Sequence, residues 1–588
     1  MGFRDNPIIN LSIYTWRYSK GNRTNVVLYF CLFLVANTLS AFEPLIVAYL
    51  LNTIQEQGIT PQNYPHLIFI VSLFVAQTIS FWAFHGPARI IERKNAFLVS
   101  TAYRRYLLDG VMRLPMSWHA NHHSGNTIDK IEKGNQALYQ YSSNTFEIID
   151  SLVKFITAYI ALAYLNLHAI YTLFFMTIVV ITLILRFDAV LVKKYRKLYK
   201  TENRVAAKIY DIISNITTVI ILRIEKLASS SIYKKMMEPL GVYQESNRIN
   251  ETKWFFVSLC NALMLFSILG TYIYLNKEQG ILIGTLYALY GYAQRINGIF
   301  FRFAYQYGDI VRRNTAVLNA QELASQFQDS KTIQPLKLEP WKELTIQNLR
   351  FSYHYKDKTL HLDNLNLSIH KAERIALIGT SGSGKTTFLK IIRDLYTPKN
   401  AQIQLDGKNL PNFQALSQHI TLIPQDPELF DATIEENITM GISHPLSYVR
   451  RFTDMACFTQ VVNHLPKKFN SRIHERGVNL SGGEKQRLAL SRGLLAAYDK
   501  PILLLDEPTS SVDFKTELHI FQNLFKAYRQ KTIIASIHRL HLLPYFDTIY
   551  FFKDGKIISQ GNLGQLLKTN QEFKKIWNKQ KAKTRSST

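Results

Sequence analysis

The run Gly379-Thr380-Ser381-Gly382-Ser383-Gly384-Lys385-Thr386, followed by Thr387, has the spacing Gly, four residues, Gly-Lys-Thr. Loops of this pattern bind phosphate: the glycines let backbone N–H groups converge on an anion, and the helix that follows adds its positive end. Lys385 is placed to reach the β- and γ-phosphates of a nucleoside triphosphate, and the Thr386 hydroxyl to bind Mg²⁺. Other chemistry-bearing residues follow in order. Tyr353 lies 26 residues ahead of Gly379 and offers a ring to stack on adenine, with Tyr355 as the alternative. Gln425 follows an apolar stretch at 420–423, and Leu480-Ser481-Gly482-Gly483-Glu484 supplies a hydroxyl and glycine amides for a second anion site. Asp506-Glu507 pairs two carboxylates, one to hold Mg²⁺ and one to polarise an attacking water; Asp513 follows, and His538 is placed to contact the γ-phosphate.

These residues need rigid supports, and the sequence provides them. Apolar runs at 375–378 and 502–505 read as buried strands, one ending at the phosphate loop and the other at the carboxylate pair. Residues 388–392 read as the opening of a helix, 531–535 as the strand before His538, and the alternation at 344–353 as an edge strand. An α/β phosphate-loop domain with an antiparallel β subdomain is therefore expected over 344–575, and a basic, disordered tail within 576–588.

A chain of 588 residues exceeds one core. Its net charge of +26 admits nucleic acid or an anionic membrane as partner, and its mean hydropathy of −0.04 averages two unlike halves. Six apolar segments, at 25–53, 66–88, 146–165, 169–187, 254–275 and 281–303, each approach the ~20 residues that a helix needs to cross a bilayer. The connections at 55–65 and 165–168 carry no Lys or Arg, whereas 89–145 and 188–253 carry many, including Arg104, Arg105, Lys193, Lys194 and Lys200. By the positive-inside rule both chain ends are cytoplasmic, and much of the charge reflects topology rather than nucleic-acid binding. An all-α six-helix transmembrane domain is thus expected over 1–328 and a linker over 329–343. Residues 8–18 read as an amphipathic helix lying at the membrane surface. The long inner connections read as helices extended into the cytosol, with turns near 117–126 and 215–223, and Gly125 as a helix C-cap.

Polar residues inside the spans, Asn37, Glu43, His85, Asn261, Gln294 and Arg295, either line a substrate path or pair structurally, and Pro44 and Pro87 are positions for kinks. Cys31, Cys260 and Cys457 are too far apart in sequence to frame a disulfide set or a zinc site. No cleavable signal peptide is expected, and Asn6 stands where a myristoylation signal wants Ser or Thr.

Taken in order, Tyr353, the phosphate loop, Gln425, Leu-Ser-Gly-Gly-Glu, Asp506-Glu507, Asp513 and His538 resemble the nucleotide-binding domain of ATP-binding cassette (ABC) transporters. With six spans upstream, residues 10–575 resemble an exporter-type half-transporter. The resemblance implies an ATPase using ATP and Mg²⁺, with Gln425 and Asp506 beside Thr386 at the metal. It also implies Ser481, Gly482 and Gly483 acting across ATP held by a partner chain, and Glu475-Arg476-Gly477 sensing the opposite membrane domain. A homodimer is favoured over a heterodimer because both half-site motifs are intact. The implied setting is a bacterial inner membrane, and the cargo a lipid, peptide or drug-like amphiphile; import on the same architecture is the alternative. Ser511-Val512, Ile537 and Leu563-Gly564-Gln565 depart from the family pattern without removing a catalytic group.

Overall fold

The computed structural model describes residues 6–278, 280–327, 341–353, 360–426, 428–473 and 480–586. Most of the expected linker, Tyr355 and Glu475-Arg476-Gly477 lie outside the described residues, as does the side chain of Lys200. Contacts divide the chain into two compact units, one of Met1–Leu114 with Trp118–Gln328 and one of Pro115–Ser117 with Asp329–Thr588.

The first unit is helical. Its elements are α1 (Pro7–Tyr18), α2 (Arg23–Ser40), α3 (Glu43–Gln57), α4 (Tyr64–Met112), α5 (Met116–Asn121, whose first two residues count with the second unit), α6 (Ser124–Ser142), α7 (Thr145–Leu165), α8 (Leu167–Ser214), α9 (Ile216–Ile221), α10 (Glu225–Met237), α11 (Leu240–Asn276) and α12 (Ile283–Ala324). Five stretches among the described residues are long and apolar enough to cross a membrane: Arg23–Gln57, Tyr64–Met112, Ser124–Leu165, Leu167–Tyr195 and Glu225–Asn276. Their apolar side chains are largely left facing outward, Ile79 at 65% and Phe266 at 78% exposure, which lipid tolerates and water does not. The sixth expected span is also helical, within α12, but Gln294, Arg295 and Asn297 dilute its apolar run.

The break between α2 and α3 falls just before Pro44, whereas α4 remains helical through Pro87. Helix α1 forms as expected, and one side of it packs on protein while Ile13 and Trp16 stay exposed. Leu11 is fully buried in one cluster with Val99, Tyr103, Leu138 and Val317, so the helix is docked on protein. Gly125 is the second residue of α6 rather than a C-cap, because the chain restarts its helix at Ser124. A further core joins α7, α8, α11 and α12 through Leu162, Leu173, Val180, Met264, Ile268 and Ile296.

In the second unit a six-stranded sheet runs in the order Lys556–Gly561, Thr548–Lys553, Arg374–Gly379, Thr532–Ser536, Ile502–Asp506 and Ile420–Ile423. All its pairings are parallel except the one between the two strands after Thr548. Strands of this kind are covered on both faces, which explains the unbroken apolar run at 502–505 of the strand Ile502–Asp506, buried at every position. A separate antiparallel sheet is built from Leu362–His370, Glu343–Phe351, Asn400–Leu405 and Lys408–Leu410. The tail departs from expectation: the helix Gln571–Ser586 continues through Lys579 to Ser586. Its start is anchored, with Phe573 fully buried and Ile576 and Trp577 packed on the same core, so one docked turn seeds the basic segment that follows.

Candidate functional site

Three parallel strands end side by side: Arg374–Gly379 at the phosphate loop, Ile502–Asp506 at the carboxylate pair and Thr532–Ser536 just before His538. Placing catalytic groups at the carboxyl ends of such strands is the general habit of open α/β sheets. The loop curls from Gly379 into α13 (Lys385–Ile392), and Gly379, Gly382 and Gly384 take φ of 153°, 80° and 105°. A Cβ at Gly384 would sit 2.6 Å from Leu362, so backbone angle and space both demand glycine there.

Lys385 is 5% exposed and reaches back into the curl, its Nζ donating to Gly379 O at 2.9 Å and Thr380 O at 3.2 Å. Burial pulls its pKa below the usual lysine value, against the opposing pull of Glu507 and Asp506. The Thr386 hydroxyl donates to Asp506 Oδ1 at 2.9 Å. Burial raises the Asp506 pKa, and the Thr386 bond offsets part of that rise.

Glu507 is the centre of the cluster. Its Oε1 lies 2.7 Å from His538 Nε2, and its Oε2 accepts from Gln425 Nε2 at 2.9 Å. Its backbone sits at φ 45°, a left-handed conformation that costs a non-glycine residue of the order of 1–3 kcal/mol and is held only where surroundings dictate it. Tyr353 stands at the start of α13, its hydroxyl 3.1 Å from Thr387 Oγ1 and its ring edge-on to Tyr396 and His361. Thus Tyr353, Lys385, Thr386, Thr387, Gln425, Asp506, Glu507 and His538 come together, with Thr380, Ser381 and Ser383 in the loop itself.

Ser481 and Asp513 stand apart from this cluster. Each caps a helix: Ser481 forms a capping box with Glu484 on Gly482–Ala496, and Asp513 accepts from Thr516 N at 3.0 Å on Phe514–Ala527. The backbone amide of Thr516 holds the Asp513 carboxyl below its usual value. Gly482 and Gly483 lie against Ser511, and a Cβ on Gly483 would meet Ser511 O at 2.8 Å. Gly483→Ala must therefore push the 510–513 loop away; a loss of ATPase of at least about tenfold is expected, measured at saturating ATP.

Two residues of this region escaped the sequence reading. Gln486 donates to Ser510 Oγ at 2.7 Å and accepts from Ser511 N at 2.8 Å, and also reaches Gln425 O at 3.3 Å. Arg539 donates to Val512 O at 2.7 Å and to Glu517 at 3.1 Å. Between them they tie the loop after Glu507 to the helix opened by Ser481 and to the His538 segment. Neighbourhood was the only available signal, since Arg539 follows His538 and Gln486 lies five residues beyond Ser481.

In the helical unit the intramembrane polar residues separate into pairs and linings. Arg295 meets Glu43 at 2.8 Å and also donates to Ser40 O and Ala41 O, closing the break between α2 and α3. Tyr292 is buried and donates to Ala41 O at 3.0 Å, while Tyr287 and Tyr290 are exposed. Asn37, Glu43 and His85 line a cavity of about 790 Å³; Asn261 and Gln294 line a smaller one of about 250 Å³.

A helical unit with apolar outward faces, joined in one chain to a phosphate-loop unit carrying an Asp-Glu pair, defines a nucleotide-driven membrane protein. The ABC transporter model matches residues 362–510 and the ABC transporter transmembrane region model residues 26–300. An uncharacterized ABC transporter ATP-binding protein of Haemophilus influenzae is 30% identical over 424 residues, 68% of this chain and 67% of that one. The transport/processing ATP-binding protein ComA of Streptococcus pneumoniae is 26% identical over 522 residues, 85% of this chain and 69% of its own. The ATP-dependent lipid A-core flippase of Idiomarina loihiensis is 26% identical over 510 residues, 82% and 84% of the two chains. The structure of a bacterial Atm1-family ABC exporter with ATP bound superposes with a TM-score of 0.82 over 95% of this chain and 99% of that one, at 21% identity, a likeness of fold. The chain belongs to the ABC transporter family. It is an ATP-hydrolysing integral membrane transporter of the exporter architecture.

Proposed function

We propose that two copies of this chain form the working unit, that each ATP is held between them, and that closure of the pair drives an amphipathic compound out of the cytoplasm. The observation that carries the dimer is that each chain has one phosphate loop and one Ser481 helix. Among the described residues no hydrogen bond joins Ser481, Gly482 or Gly483 to the loop 379–387. The ends of the chain are assigned to the cytoplasm, and the membrane to the inner membrane of a bacterium; a heterodimer with a related chain is the second arrangement.

In this reading Tyr353 stacks on adenine, and Lys385 leaves its loop carbonyls for the β- and γ-phosphates. Burial makes its charge costly until an anion arrives. Thr386 and Asp506, with Gln425, would hold Mg²⁺. The fit rests on a buried carboxylate already touching a hydroxyl and disfavoured as an isolated anion. Bound there, the ion would neutralise charge on the phosphate oxygens. Glu507 polarises the attacking water, His538 contacts the γ-phosphate, and Ser481, with the amides of Gly482 and Gly483, closes the partner's site together with Asp513.

Lys385→Ala should weaken ATP binding itself by about tenfold or more, read by nucleotide titration. Direction is tested in vesicles. ATP-dependent accumulation of cargo inside inside-out vesicles is the expected result, and accumulation confined to right-side-out vesicles would mean import.

A further inference from the structure

The 790 Å³ cavity lies wholly within the helical unit, among α2, α3, α4, α7 and α12, and its size is that of a small-ligand site. One part of its wall is aromatic, with Phe74, Phe81 and Phe146, and Phe81 stacked on His85 at 4.7 Å. The rest is charged, and the charges are unevenly paired. Asp150 faces two cations, Lys154 at 2.9 Å and Arg302 at 2.5 Å, so one positive charge there lacks its own counter-ion. One helical turn earlier, Glu147 is bonded only by the neutral side chain of Gln306, and among the described residues no Lys, Arg or His makes an ion pair with it. Glu43 is balanced by Arg295, and nearby Arg89 by Glu92.

Counted together with Arg295, which pairs with Glu43 from outside the lining, the charges sum to zero but are split, with surplus negative charge at Glu147 and surplus positive charge about 4.5 Å further along α7. In a low-dielectric surround each surplus charge is costly alone, and a ligand bearing one net charge would satisfy one end and leave the site charged overall. A ligand carrying both signs relieves both.

We propose that this cavity binds a zwitterionic amphiphile, with its cationic group at Glu147, its anionic group at Arg302 and Lys154, and its apolar part along Phe74 and Phe81. This names the cargo class of the transport reading above and rests on it only for the cavity's purpose.

The test is ligand binding without ATP, with the full-length protein in lipid nanodiscs and empty nanodiscs subtracted. Three probes share one alkyl chain and are kept below micellar concentrations: decylphosphocholine, decyltrimethylammonium and decyl sulfate. The zwitterion should bind at least about tenfold tighter than either singly charged probe. Arg302→Gln should invert that order in favour of the cation, and Glu147→Gln in favour of the anion. A merely structural role for these two residues would weaken all three probes together. Equal binding of the three by the wild type, a preference for a singly charged probe, or variants that leave the order unchanged would each overturn the proposal. Because no ATP is used, failure of vesicle transport leaves this result standing, and failure here leaves ATP-driven export standing.

Discussion

Glu507→Gln is expected to lower ATP turnover by about 10²–10⁴-fold while leaving ATP binding within a few-fold of the wild type. The substitution keeps the shape of the side chain and an oxygen able to accept from Gln425, which now donates at 2.9 Å. It removes the carboxylate that also faces His538 at 2.7 Å, and with it the group able to take a proton from water. The strained backbone at φ 45° fixes where that carboxylate points, so no neighbour can replace it without moving the chain. Asp506 is committed to Thr386. A split result, with kcat lost and nucleotide affinity kept, marks a group that acts on the reaction rather than on binding. Turnover within about threefold of the wild type would remove Glu507 from that role.

Lys253→Met is expected to destabilise the helical unit by about 3–5 kcal/mol, seen as a lower unfolding temperature in detergent or nanodiscs. Lys253 and Asp188 are 4% and 7% exposed and meet at 3.0 Å across the packed pair α8 and α11. The second oxygen of Asp188 is buried with no hydrogen-bond partner among the described residues, so removing the lysine strands an uncompensated carboxylate. Replacing both residues, Asp188→Asn with Lys253→Met, should recover most of the loss because no charge is then left buried. If the double variant is as unstable as the single one, packing by the lysine stem rather than charge explains the effect.

Much of the candidate ATP site could be proposed directly from the chain because its parts are local. A phosphate loop is a backbone conformation dictated by adjacent glycines, and Asp506-Glu507 is announced by the apolar strand that ends there. The spans were equally plain, since hydrocarbon thickness sets their length, though α12 carries more polar residues than a span usually does. Of the two readings the sequence leaves open for Glu43 and Arg295, lining a path or pairing structurally, the structure shows the pairing.

The amino-acid sequence by itself determined the order of motifs, the two kinds of unit and the helical or extended character of most segments, because these depend on residues within a few positions of each other. Tertiary structure alone decided which distant side chains neutralise one another. Glu43 and Arg295 are separated by 252 positions, and Asp150 and Arg302 by 152. It also decided that α1 docks on protein and that the last helix runs through the basic tail. Such outcomes depend on the free energy of burying particular faces against particular partners, and no local pattern encodes which faces will meet.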